Sequence, residues 1–206
     1  MTIRNASATR EKIIQAAFEE IHSHGFQATS MNEIIKRAGI TKGALYHHFK
    51  SKTELGYAVI DEVIRPLMKE RWLDPMSKSE NPIDALIDCM AELIKNTPKQ
   101  AVIRGCPLAN LAHEMSGIDE GFRLKLSQVL EAWQDGLSKV FSVGIKNGYV
   151  RSDVDTDNVA CFLVAAIEGT IGMAKNSKDE KTFHRCAEQL IIYLESLRAK
   201  QTEPIT

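Results

Sequence analysis

The residues with the clearest chemical meaning lie in one stretch, Ser30 to Lys52, which reads SMNEIIKRAGITKGALYHHFKSK. Lysine, tyrosine and histidine on short helices suit contacts with phosphates and base edges rather than bond-breaking chemistry. Lys42, Gly43, Ala44 and Tyr46 are candidate base-edge contacts, because small residues at the front of a helix let it approach closely. Thr29, Ser30, His47, His48 and Lys52 are candidate phosphate contacts. The chain carries no glycine-rich phosphate loop, no G-x-S-x-G and no H-E-x-x-H. Adjacent histidines on a helix point in different directions, and Cys106 and His113 lack the partners of a metal site. No catalytic residue, metal or cofactor is expected.

These groups must be held by helices, and the local signals for helices are strong. Ser30 and Glu33 form an S-x-x-E capping box, so a helix starts at Met31, with Met31, Ile34, Ile35 and Ala38 as its apolar stripe. Gly39 ends it, Ile40 anchors the turn, and Thr41 caps a second helix through Phe49. Leu45 and Phe49, four apart, face inward. Ser51 and Glu54 repeat the capping box and open a further helix. Helix, glycine turn, helix is the spacing of a helix-turn-helix, whose second helix enters the DNA major groove.

Gly25-Phe26, Thr29-Ser30, Ala38-Gly39-Ile40, Gly43, Leu45-Tyr46, His48-Phe49 and Lys52 resemble, in order and spacing, the signature of the tetracycline-repressor (TetR) family. The resemblance implies an all-α homodimer with an N-terminal three-helix DNA-binding domain, taken as residues 1–53. A larger C-terminal helical ligand-binding and dimerisation domain, 54–206, would follow.

The charge distribution agrees. Net charge is −1 over 206 residues, but residues 1–52 hold eight Lys/Arg against four Glu, leaving 18 basic and 23 acidic residues beyond. Such asymmetry places an electrostatic footprint for nucleic acid at the N-terminal end. With 44% hydrophobic and 26% charged residues the composition is that of a soluble globular protein. No apolar run reaches membrane-span length, no signal-peptide core opens the chain, and four cysteines without paired spacing suggest no disulfide scaffold. A cytoplasmic protein with no membrane partner is expected.

Met1 to Ala8 is polar and read as disordered, and Thr9 is placed at the start of a helix reaching His24. The helix after Ser51 contains Pro66, which should kink or loosen it. Residues 74–81, DPMSKSEN, read as a loop, and Asn81-Pro82 open a helix that Thr97-Pro98 end. A long helix runs from Asp119 and Glu120 to Asn147, closed by Gly148, and the last runs from Asp179 to Lys200. The helix 156–176 is apolar over most of its circumference, with Gly169 and Gly172 open to a close neighbour. Such a helix needs cover on several sides. Pairing of the last two helices with their copies in a dimer supplies it; a monomeric bundle that buries this helix is the alternative.

The segment Ile103 to Met115, IRGCPLANLAHEM, with Phe122-Arg123, Trp133-Gln134 and Glu168-Gly169, resembles one branch of the family. There a Gly-Cys pair precedes N-L-x-x-E-M, and members include sensors of electrophiles and of small unsaturated acids. Cys106, Asn110, His113, Glu114, Trp133 and Glu168 are the candidate ligand or sensor residues. Core or interface packing is the competing role of each. Cys106 stands at a helix start near Arg104, where a thiolate is favoured.

The expected function is a dimeric transcriptional repressor released from a palindromic operator by a small effector. Release by modification or oxidation of Cys106 is the alternative. A constitutive DNA-organising protein would keep the basic head without a switch, and a helical-bundle enzyme would need a polar catalytic set that the chain lacks.

Overall fold

The computed structural model describes residues 3–96 and 103–200, and the expected helix end at Thr97-Pro98 lies outside them. Among the described residues the chain is helical, with a single isolated bridge between Val150 and Arg198 in place of any strand. The helices are α1 (Ile3–His24), α2 (Met31–Ala38) and α3 (Lys42–His48), followed by α4, which runs from 52 to 76. They continue as α5 (Pro82–Asn96), α6 (Pro107–Met115), α7 (Glu120–Lys146), α8 (Thr156–Ser177) and α9 (Glu180–Ser196).

The caps act where the sequence places them. The Glu33 N–H donates to Ser30 Oγ (3.3 Å) and the Ser30 N–H donates back to Glu33 Oε2 (3.1 Å). Gly39, at φ 62°, ends α2 by the left-handed route, its N–H reaching Lys36 O at 3.3 Å. Thr41 Oγ1 accepts from Ala44 N–H (3.2 Å) and Ser51 Oγ from Glu54 N–H (3.0 Å). Asn81 Oδ1 accepts from Ile83 N–H (3.1 Å), and Asp155 Oδ1 from Asp157 and Asn158.

Four expectations need adjustment. First, α1 begins at Ile3, within the stretch read as disordered, because residues 3–9 contain no glycine or proline to stop it. Second, the loosening expected at Pro66 is a π-helical segment, Ile60–Ile64, in which the Arg65 N–H reaches back to Ile60 O. A second such segment, Lys69–Leu73, precedes Pro75 in the same way, so Asp74–Met76 is helical and the loop starts only at 77. Proline lacks an N–H and its ring collides with the carbonyl four residues back; widening the preceding turn relieves both. Third, the last helix stops at Ser196, since Arg151 N–H donates to Leu197 O (2.9 Å) and Ala199 N–H to Tyr149 O (3.0 Å). Fourth, α8 is, by length and a mean hydropathy of 1.3, apolar enough to cross a membrane, although polar residues interrupt it. One face of it is buried in this fold: Leu163, Val164, Ile167 and Ala174 are inside.

The chain forms two compact units. One comprises residues 1–67 and 106–129, so α6 and the first part of α7 fold with α1–α3. This differs from a division at 53/54, which sequence motifs suggested. Its core brings Phe26 against Phe122 edge-on at 4.6 Å and Tyr57 against Phe122 at 5.0 Å. The Tyr57 hydroxyl donates to Asp119 Oδ1 (2.7 Å) and, with the Phe122 N–H, holds that carboxyl below its ordinary value. The other unit comprises 68–105 and 130–206, with Trp72 stacked on Trp133 at 5.3 Å and α8 packed along α9.

Gly56 lies in α4 beneath both phenylalanine rings, where an added Cβ would sit 2.6 Å from each. Alanine in a helix gains about 1 kcal/mol over glycine, whereas overpacking a filled core costs about 1–3 kcal/mol. Gly56→Ala should therefore lower stability by up to about 2 kcal/mol. Urea unfolding checks this, and an unchanged midpoint would mean that the rings yield.

Candidate nucleic-acid interface

The interface is built on helices that cannot place themselves. α2 and α3 have eight and seven residues, below the length at which a helix persists alone in water. Burial fixes them instead: Ile34 and Leu45 are fully buried and Phe49 is 2% exposed. With Leu45 and Phe49 turned inward, Lys42, Gly43, Tyr46 and His47 are exposed and Ala44 and His48 half-buried. Lys42 Nζ lies 5.9 Å from the Tyr46 ring centre, and the His47 and His48 rings meet edge-on at 5.2 Å. Four of the expected base-edge and two of the expected phosphate residues thus share one small helix.

Ser30 is exposed at the head of α2, whose Met31 and Asn32 N–H groups have no acceptor within the helix. Its N–H and hydroxyl hold the Glu33 carboxyl below its ordinary value.

Thr29 and Lys52 are placed differently from expectation. Thr29 is 2% exposed and its hydroxyl donates to Gly25 O at 2.7 Å. The Lys52 ammonium donates to Phe26 O (2.9 Å), Gln27 O (3.1 Å) and Thr29 O (2.9 Å), and lies over the Phe26 ring at 4.7 Å. An ammonium has three protons, and each has an acceptor here. Both residues hold the turn between α1 and α2.

The charge count also changes. Arg10 is paired with Glu62, and Arg37 with Glu20, which His24 also contacts at 3.1 Å. Exposed Lys12, Lys36, Lys42 and Lys50 form no ion pair among the described residues and carry the outward positive charge. Lys36 and Lys50 were counted from sequence without being assigned a role; their lack of an acidic partner is the signal, and only the fold reveals it.

The six ligand or sensor candidates are divided between the units. Cys106, Asn110, His113 and Glu114 lie in the unit that contains α1–α3, and Trp133 and Glu168 in the other. Cys106 is buried and N-caps α6 without a side-chain cap bond, after Gly105 at φ 76°. His113 is exposed. Glu114 accepts from two backbone amides, Phe26 N–H and Gln27 N–H, both at 2.8 Å. Trp133 is 1% exposed and its Nε1–H has no hydrogen-bond partner among the described residues. Glu168 is half-buried on α8. A groove of about 710 Å³ runs between α8 and α9, lined by Phe162, Thr170, Met173, Cys186, Leu190 and Tyr193 among others. Among the described residues no group of three His, Cys, Asp or Glu is arranged to hold a metal.

Residues 13–59 match the family model described as bacterial regulatory proteins, tetR family. Residues 82–189 match that of the LmrA/YxaF-like transcriptional regulator C-terminal domain. The chain is 30% identical to the transcriptional regulator AcuR of Cereibacter sphaeroides, over 83% of this chain and 78% of that one. It is 26% identical to the transcriptional repressor DhaR of a Mycobacterium species, over 79% and 80%. The structure of a TetR-family regulator from Cytophaga hutchinsonii superposes with a TM-score of 0.87 at 20% identity, covering 98% of this chain and all of that one.

Proposed function

The chain belongs to the tetR family of bacterial regulatory proteins, and on that premise we propose that it is a homodimeric repressor, released from a palindromic operator by a small effector. The observation that carries the DNA part is the outward face of α3, held by buried Leu45 and Phe49. In this reading Lys42, Gly43, Ala44 and Tyr46 meet base edges. Ser30, His47 and His48, with the amide ends of α2, meet phosphates. The cytoplasm is where such a regulator works, and DhaR, a relative named as a repressor, supports the sign of regulation.

Lys42→Ala should relax preference at one operator position, at a cost of about 1–3 kcal/mol for the cognate base. Lys50→Ala should weaken binding to all sequences and flatten the salt slope by about one unit. Binding measured against single-substituted operators at several salt concentrations decides both; identical profiles for Lys42→Ala and wild type would remove α3 from base reading.

The α8–α9 surface supports the dimer. Phe162, Met173 and Ile192 are large, apolar and about half or more exposed. A Cβ added at Gly169 or Gly172 would meet nothing within 4 Å, so another backbone has room to approach. Pairing this surface with its copy gives a four-helix bundle. Gly169→Trp should convert the dimer to monomer in sedimentation and abolish joint occupancy of two half-sites. A wild-type monomer at micromolar concentration would sink the proposal.

For the effector, the informative group is the Trp133 indole N–H, a buried donor whose missing partner costs about 1–3 kcal/mol. An apolar molecule carrying a carbonyl or carboxylate oxygen would supply the acceptor. Trp72 and Trp133 are the only tryptophans, and they are stacked, so such a ligand should change the intrinsic emission. Trp133→Phe keeps the stack and loses the donor; effector-driven DNA release should weaken about tenfold while binding to DNA persists. Aldehydes and small acids are the first compounds to titrate. Unchanged emission with a releasing compound would place the effector elsewhere. Cys106 is the second reading, favoured by its position at the start of α6. Release by an aldehyde or hypochlorite that Cys106→Ser abolishes would transfer the switch to the thiol.

A further inference from the structure

The turn joining α1 to α2 is gripped on both its polar sides. Its amides at Phe26 and Gln27 donate to the two oxygens of Glu114, at 2.8 Å each. Its carbonyls at Phe26, Gln27 and Thr29 accept from the single ammonium of Lys52. The Gly25 carbonyl takes the Thr29 N–H (3.2 Å) and hydroxyl (2.7 Å). Gly25 itself sits at φ 88°, and a Cβ there would come within 3.1 Å of both Glu114 oxygens. The residue after this turn is Ser30, the cap of α2.

Glu114 comes from α6, in the stretch that matches the C-terminal family model, residues 82–189, not the DNA-binding model, residues 13–59. Yet α6 belongs to the same compact unit as α1–α3. A carboxylate with both oxygens engaged, and an ammonium with all three protons engaged, by backbone groups of one short turn leave that turn one position. Since the turn leads directly into α2, and α2 packs on α3, the pair sets where α2's amide end and α3's reading face stand.

We propose that Glu114 and Lys52 are positioning residues for operator binding: they act on DNA through the Gly25–Thr29 turn and not by contacting phosphate. The assignment rests on the DNA-binding role of α2 and α3. It moves Glu114 from the effector site to the DNA head, and Lys52 from the phosphate contacts to the scaffold.

A phosphate ligand and a positioning residue leave different traces. Losing a phosphate contact weakens specific and non-specific binding alike and flattens the salt slope. Losing position weakens the base-reading complex while non-specific attraction persists. The test uses full-length wild type, Glu114→Gln, Lys52→Met and Lys50→Met, with an operator duplex selected from a random library by wild type and a shuffled duplex of the same length. The amide of Glu114→Gln keeps one acceptor and sets an NH2 group against the second backbone N–H. Glu114→Gln and Lys52→Met should each bind the operator about tenfold more weakly, with shuffled-duplex affinity and salt slope within about twofold and 0.3 units of wild type. Amide exchange at Phe26 and Gln27 should accelerate in Glu114→Gln ahead of the helix interiors. Lys50→Met should behave as the phosphate control.

Lys52→Met with a slope flattened by about one unit and equal losses on both duplexes would overturn the assignment for Lys52. Glu114→Gln with wild-type operator affinity, well below its unfolding temperature, would overturn it for Glu114. Should Glu114→Gln fail to fold, Lys52→Met tests the opposite side of the same turn. A wild-type chain that selects no sequence would overturn the DNA reading together with this one, and is recognised from wild type alone.

Discussion

The head depends on helix ends being closed by groups outside the helix. α2 and α3 are too short to persist by propagation, so their existence rests on caps and on a few buried side chains. Ser30, Thr41 and Ser51 each take a backbone N–H that would otherwise be exposed, and Gly39 closes α2 from the far end. What remains is the five-residue turn before Ser30. Its backbone would be costly to bury unpaired, and ions supply the partners. Glu114 takes two amides and Lys52 takes three carbonyls, so the turn is neither loose nor dependent on water. Interactions of an ion with backbone groups are about twice as strong as neutral ones.

Much of this was legible in the sequence because the chemistry is local. A capping box spans three residues, and a glycine after an apolar stripe marks a left-handed end; both signals lie within the element they describe. α2 and α3 came out at their expected places for this reason. The partners of Lys52 and Glu114 could not be read locally, because they lie 23 to 26 and 87 to 88 residues away. A lysine in a DNA-binding stretch looks outward until its three acceptors are found. Charge counting failed similarly: Arg10 and Arg37 raise the basic total of the N-terminal segment, yet Glu62 and Glu20 neutralise them in the fold. The two π-helical segments belong to an intermediate case. Proline signals strain in a helix, but whether the chain kinks, stops or widens depends on what the helix packs against.

The boundary between the two parts follows the same division between local and distant information. Motifs end near residue 53, and a family model of the C-terminal domain begins at 82. The compact unit that contains the head nonetheless takes in 106–129, because Phe122 fills the space between Phe26 and Tyr57, and Asp119 takes the Tyr57 hydroxyl. Gly56 exists as glycine to let those rings close. Neither the ring cluster nor the carboxylate has a periodic signature, since each draws single residues from separate helices.

The two units differ in how complete they are, and that difference bears on what each does. In the first, the groups with strong polar demands have partners within the unit: Glu20, Glu114, Lys52, Thr29 and Asp119 are all engaged. What it leaves outward is the polar face of α3 and the amide end of α2, both suited to a charged, hydrogen-bonding polymer. The second unit leaves apolar surface outward along α8 and α9, and keeps an indole donor inside with no acceptor among the described residues. Exposed Phe162, Met173 and Ile192 on those helices favour a protein surface, and a buried donor favours a small acceptor. Under the proposed function the three unfilled demands have three different occupants: DNA on α3, a second subunit on α8–α9, and an effector at Trp133.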